Sequence, residues 1–188
     1  MTSSTSQGAA GQHGQFRKSW LAGAALIVAV GVGVTGCTTT ETPQISSQGA
    51  APGATAEAFT AQTAAGAQVS VPGAKPSVLF FFSIECGACG PFTEALAEVQ
   101  QSAPEDANYV AVDVASYETA PEVEAFLAQN QASSLAYAID TNTRLISAYQ
   151  VNQLSTAVVL DASGTEVFRG VEPSVAQIRD ALTEVGAQ

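Results

Sequence analysis

The sequence predicts an α/β domain in which a central mixed β-sheet is flanked by helices, and three observations lead there. From Ser77 onward, short apolar runs of strand length alternate with segments of helical periodicity, the pattern of a sheet with helical crossovers. One run, Val78-Leu79-Phe80-Phe81-Phe82, is apolar at every position, as in a strand covered on both faces. The chain then closes with a hairpin, turning at Asp161-Ala162-Ser163-Gly164, and a last helix, which makes the sheet mixed in sense.

Residues 1–36 read as a leader outside that domain. A polar start, the basic pair Arg17-Lys18 and an apolar run from Trp20 to Val34 have the layout of a secretory signal peptide. A retained signal anchor is the alternative, since Trp20 to Gly36 lies at the lower edge of a spanning length. Its four glycines, Gly23, Gly31, Gly33 and Gly36, weaken that helix. Either way the remainder is expected outside the cytoplasmic membrane, where disulfides persist. Residues 37–57 read as a flexible tether, because from Thr38 on they are Thr, Ser, Gln, Gly, Ala and Pro with almost no large apolar residue. The folded domain is expected over 58–188, long enough for one core.

Within it, Phe59 to Thr63 and Gln68 to Val71 flank Ala64-Ala65-Gly66-Ala67 as a short leading hairpin. Ser77 to Ser83 is the buried strand. Pro91 to Gln101 is a helix with Phe92, Ala95, Leu96 and Val99 on one face and Glu94 and Glu98 outside. Asn108 to Val114 is a strand alternating Tyr109, Ala111 and Asp113 against Val110, Val112 and Val114. Pro121 to Asn130 is a second helix presenting Val123, Phe126 and Leu127, with Glu122 and Glu124 on a solvated face. Ala136 to Ile139 (strand), Asn142 to Tyr149 (helix) and Thr156 to Leu160 (strand) follow. Thr165 to Arg169 is the return strand of the hairpin, and Pro173 to Val185 is the closing helix with Pro in its first turn. Asp113 and Asp140, at strand ends, read as turn and cap residues.

Charge and composition narrow the function. Once Arg17 and Lys18 leave with the leader, 4 Lys/Arg face 17 Asp/Glu. So acidic a surface argues against nucleic acid and against anionic lipid headgroups. His13 is the single histidine and lies in the leader, so no histidine is left to activate a nucleophile. What remains is Cys86-Gly87-Ala88-Cys89, placed between the buried strand and the first helix. Two thiols at this spacing on a strand-to-helix turn are the working parts of a dithiol/disulfide site. An inert staple is the bland alternative, although so short a loop stabilises little by closure.

Two resemblances sharpen this reading. Val34-Thr35-Gly36-Cys37 resembles the lipobox of bacterial lipoproteins, which implies cleavage before Cys37, diacylation of its thiol and attachment to the membrane through that lipid. The placement of Cys86 and Cys89, with Val78 to Pro91 and Ala138 to Val171 around them, resembles the thioredoxin superfamily, and within it the extracytoplasmic TlpA/ResA-like branch. The resemblance implies a thioredoxin-like fold over roughly Glu57 to Gln188, a thiol–disulfide oxidoreductase activity, no cofactor, and thiol- or disulfide-bearing envelope proteins as partners of a monomer. Cys86, at or just before a helix N-terminus that favours a thiolate, is the expected attacking sulfur; Cys89 is the expected resolving one.

Three departures from the family pattern mark the site. Glu85 stands before Cys86, where thioredoxins usually have Trp; it either raises the Cys86 pKa or points to solvent. Phe80 stands six residues before Cys86, where many relatives place a buried acid, which leaves proton transfer to water, to Glu85 or to no group at all, with slow exchange expected. Ser155, followed by Thr156, stands where the family has a cis-proline; a serine there is expected to be trans, with a hydroxyl near the sulfurs and an opening for metal. A metal would need further ligands from carboxylates, a second copy or a small thiol. Exchange with envelope proteins, a metal or Fe–S binding module and a redox-inactive adaptor therefore remain as readings, and the direction of electron flow stays open.

Overall fold

A computed structural model describes residues 56–186; the leader, Cys37 and most of the tether lie outside the described residues. The elements run β1 (Phe59–Gln62), β2 (Gln68–Val71), β3 (Ser77–Phe82), α1 (Cys89–Ser102), β4 (Asn108–Asp113), α2 (Ala120–Gln129), β5 (Ala136–Ile139), α3 (Arg144–Ala148), β6 (Thr156–Leu160), β7 (Glu166–Val171) and α4 (Val175–Glu184). They form one mixed sheet of order β2-β1-β5-β4-β3-β6-β7. β3 pairs with β4, and β4 with β5, in parallel; the β3–β6, β6–β7, β1–β2 and β1–β5 pairs are antiparallel. The expected α/β sheet of mixed sense and its hairpins are present.

Every residue of β3 is buried, because the strand is paired on both edges and covered on both faces. Its even members, Val78, Phe80 and Phe82, pack with Leu96, Val123, Phe126 and Ile178 of α1, α2 and α4. Its odd apolar members, Leu79 and Phe81, pack with Leu145 and Tyr149 around α3 and with Val71 of β2. The Phe82 and Phe126 rings stack at 5.1 Å and those of Phe80 and Phe92 approach to 4.6 Å, contacts worth about 0.5 to 1.5 kcal/mol beyond burial itself. β4 keeps the expected alternation, Tyr109 and Ala111 lying on the α1 face and Val110 and Val112 on the other.

Several boundaries and faces differ from expectation. α1 begins at Cys89 and buries Thr93 and Ala97 rather than Ala95; Thr93 can go inside because its hydroxyl donates to the Cys89 carbonyl at 2.8 Å. α2 starts one residue early because Thr119 and Glu122 form a capping box ahead of Pro121. α3 is only five residues long and starts from Thr143 at φ +58°. Pro173 is not in the first turn of α4: Ser174 caps that helix, its Oγ accepting the Gln177 N–H. Glu124 is not simply solvated, since the Tyr137 hydroxyl donates to it at 2.7 Å.

Candidate functional site

The turn between β3 and α1 carries five of the residues singled out in the sequence. The Cys86 N–H donates to the Ser83 carbonyl at 3.1 Å and the Cys89 N–H to the Cys86 carbonyl at 3.0 Å, so the chain enters the helix through tight turns. Cys86 and Cys89 are joined in a disulfide with Cα atoms 5.4 Å apart. Cys89 is fully buried among the α1-face residues, while Cys86 is partly exposed. Gly87 and Ala88 are exposed, and nothing lies within 4 Å of where a Gly87 Cβ would stand. Of the two cysteines, Cys86 is the one open to solvent. Ala88 provides no side-chain cap and α1 has no acid in its first turn, which leaves the positive end of the helix directed at the turn.

Glu85 is exposed, and the Tyr117 hydroxyl donates to its carboxylate at 3.1 Å, a contact that pushes the Tyr117 phenol pKa up. Glu85 is exposed, as one of its two expected placements had it, with its carboxylate engaged by Tyr117.

Two acids that sequence reasoning did not assign to the site adjoin the same turn. Asp113 ends β4 opposite Phe82 and is fully buried. Its Oδ1 accepts the Ala115 N–H at 2.9 Å, the expected turn role, but its Oδ2 is buried without a partner. Burial first, and the neighbouring Glu118 carboxylate after it, push the Asp113 pKa up to about 7 against the pull of the Ala115 N–H. Glu118 in turn accepts the Ile84 N–H with both oxygens at 3.1 Å, pinning the turn that holds Cys86. With Phe80 buried and apolar, the buried acids beside the turn come from β4 and the segment after it. The signal for this was an Asp on the apolar phase of β4, in step with Tyr109 and Ala111. Asp140 does act as a cap, its Oδ2 accepting the Ile146 N–H.

Ser155 and Thr156 lie on the other side of β3. The Ser155 N–H donates to the Phe81 carbonyl at 3.0 Å and the Glu172 N–H to the Ser155 carbonyl at 2.8 Å. Among the described residues the one cis peptide is Val71–Pro72, so Leu154–Ser155 is trans, as expected. Ser155 has φ +61°, and its Oγ is buried without a partner. Thr156, opposite Phe81, donates its hydroxyl to the Gln153 carbonyl.

Comparison with known proteins agrees with this architecture. A family model described as thioredoxin-like matches residues 73–166, half of the chain. The chain belongs to the thioredoxin-like family. It is 39% identical over 122 residues to a Streptomyces lividans protein named mercury resistance operon ORF3, covering 63% of this chain and 65% of that protein. Its fold resembles that of a secreted Mycobacterium tuberculosis disulfide oxidoreductase homologous to Escherichia coli DsbE (TM-score 0.55, 20% identity, 67% of this chain and 95% of that one). It also resembles StoA from Bacillus subtilis (TM-score 0.59, 20% identity, 68% and 98%). The thioredoxin-like fold, shared with disulfide oxidoreductases, thus holds a close Cys-x-x-Cys pair.

Proposed function

We propose that this thioredoxin-like protein is a lipid-anchored, extracytoplasmic thiol–disulfide oxidoreductase that exchanges disulfides with envelope proteins through Cys86 and Cys89. The observation that carries the reading is a closed pair with its first sulfur partly exposed and its second fully buried. In the reducing direction the Cys86 thiolate attacks a partner disulfide, forming a mixed disulfide and releasing one partner thiolate. The Cys89 thiolate then attacks the Cys86 sulfur, which closes the Cys86–Cys89 bond and releases the second partner thiolate. Two electrons pass to the partner, whose thiolates take up the protons shed by the pair. The reverse sequence oxidises a partner dithiol. A Cys89→Ser variant is expected to accumulate the mixed disulfide through Cys86; if none forms with any envelope protein or model disulfide, the reading fails. Attachment rests on Val34-Thr35-Gly36-Cys37, and Cys37→Ala should release the protein from the membrane fraction.

The mercury-resistance operon named for the Streptomyces relative favours a second reading, capture of a thiophilic cation by the reduced pair. Two thiolates suit a soft, two-coordinate ion, whereas among the described residues no group of three or more His, Cys, Asp or Glu is placed to hold a metal. One equivalent of Hg2+ retained by the reduced protein and lost in the Cys86→Ser/Cys89→Ser variant would support it; equal retention would sink it.

A further inference from the structure

A groove of about 340 Å3 opens beside the redox turn, between Ile84-Glu85 and α2. Its apolar lining is Ile84, Ala125 and Phe126, and its acidic lining is Glu85, Glu118 and Glu122. Tyr117, 68% exposed, also lines it and bonds Glu85. No cation of the described residues lines this groove: Lys75 pairs with Glu105, Arg144 with Glu57 and Arg169 with Glu166, while Arg179 on α4 reaches Ser102. An apolar surface bordered by carboxylates complements a side chain that is itself divided, the methylene stem and cationic head of lysine or arginine. An exposed aromatic ring adds a face for the cation.

We propose that this groove receives a lysine or arginine flanking the target cysteine of the partner, so that the protein selects cysteines in basic sequence surroundings. The inference rests on the exchange reading above and names the substrate class of that site. Glu85 directly precedes Cys86, and successive residues of an extended partner segment advance by only about 3.3 Å. A basic residue one or two positions from the reacting cysteine therefore reaches the groove while the sulfurs touch. Acidic flanks meet three carboxylates with no cation to relieve them and are rejected.

The test uses reduced protein and peptides of one length whose central cysteine is capped as a mixed disulfide with 2-nitro-5-thiobenzoate, flanked by Arg, Gly or Glu. Attack by Cys86 on the peptide sulfur joins peptide to Cys86 and releases the coloured thiolate, the better leaving group. Cys89 then displaces the peptide as its thiol and leaves the Cys86–Cys89 disulfide. Each rate is divided by that of the same peptide with dithiothreitol, which removes the peptide's own reactivity. At low salt the Arg peptide is expected to react roughly fivefold faster than the Gly peptide, the size set by one or two exposed ion pairs, and the Glu peptide more slowly than either. The preference should shrink at high salt and in Glu85→Gln/Glu122→Gln, but persist in Asp180→Asn on α4. Equal normalised rates for Arg and Gly peptides, or a preference untouched by Glu85→Gln/Glu122→Gln, would overturn the groove assignment while leaving exchange intact. Absence of reaction with every peptide would instead remove the exchange reading itself.

Discussion

The two strands that flank β3 meet its redox turn with opposite materials. On the β6 side, Ser155 and Thr156 are buried and uncharged, and Ser155 is held by main-chain bonds to Phe81 and Glu172. On the β4 side stand the carboxylates of Asp113, Glu118 and Glu122, grading from fully buried to exposed, with the phenol of Tyr117 among them. The neutral flank sets position through the backbone and so is vulnerable to changes in backbone chemistry. The charged flank sets position through Glu118 on the Ile84 amide and so responds to protons and ions. A single Cys-x-x-Cys turn is thus held by two unlike devices, which separate experiments can break.

The largest effect is expected from Ser155→Pro. Proline cannot adopt φ +61° and has no N–H for the Phe81 carbonyl, so returning the family residue should cost about 3 kcal/mol or more. Urea unfolding of the oxidised protein measures this, and a loss under about 1 kcal/mol would show that the loop relaxes freely. Asp113→Asn is next. A carboxyl whose folded pKa is raised from 3.8 to about 7 stabilises fully below the unfolded value, and that contribution is lost as pH rises through about 7. Asparagine, neutral throughout and able to donate to Glu118, should flatten this fall and raise stability at pH 8 by on the order of 2 kcal/mol. Melting curves across that window decide it; a pH profile like that of the unmutated chain would mean that Asp113 does not hold the proton. The smallest is Ser155→Ala, which removes a buried unpartnered hydroxyl without altering φ and should stabilise by about 1 kcal/mol. A net loss in the same unfolding assay would show that the hydroxyl has a partner in solution.

Much of this architecture was legible because it depends on local pattern. The continuous apolar run of β3, the alternation of β4 and the triad Val123, Phe126 and Leu127 on α2 are periodic signals, and each predicted the face it buries. Element ends were less legible. Arg144 and Val175, not Asn142 and Pro173, are the first helical residues of α3 and α4, because starts depend on a few capping bonds and backbone angles rather than on periodicity. The Cys86–Cys89 pair and the contrast in exposure between its sulfurs could be expected from spacing on a strand-to-helix turn. The Asp113–Glu118 pair could not, because it depends on register: only the pairing of Asp113 with Phe82 brings the end of β4 against the turn.

By itself, then, the sequence determined the alternating elements, the thiol pair and the absence of proline at Ser155, since composition and spacing carry these directly. Only the tertiary structure decided what surrounds the pair. Glu85 turns to Tyr117, Glu118 clasps Ile84, and Ser155 is locked in a left-handed conformation by residues far along the chain. The Glu85–Tyr117 and Ile84–Glu118 contacts join segments separated by 32 and 34 positions, and no local periodicity encodes the register that brings them together.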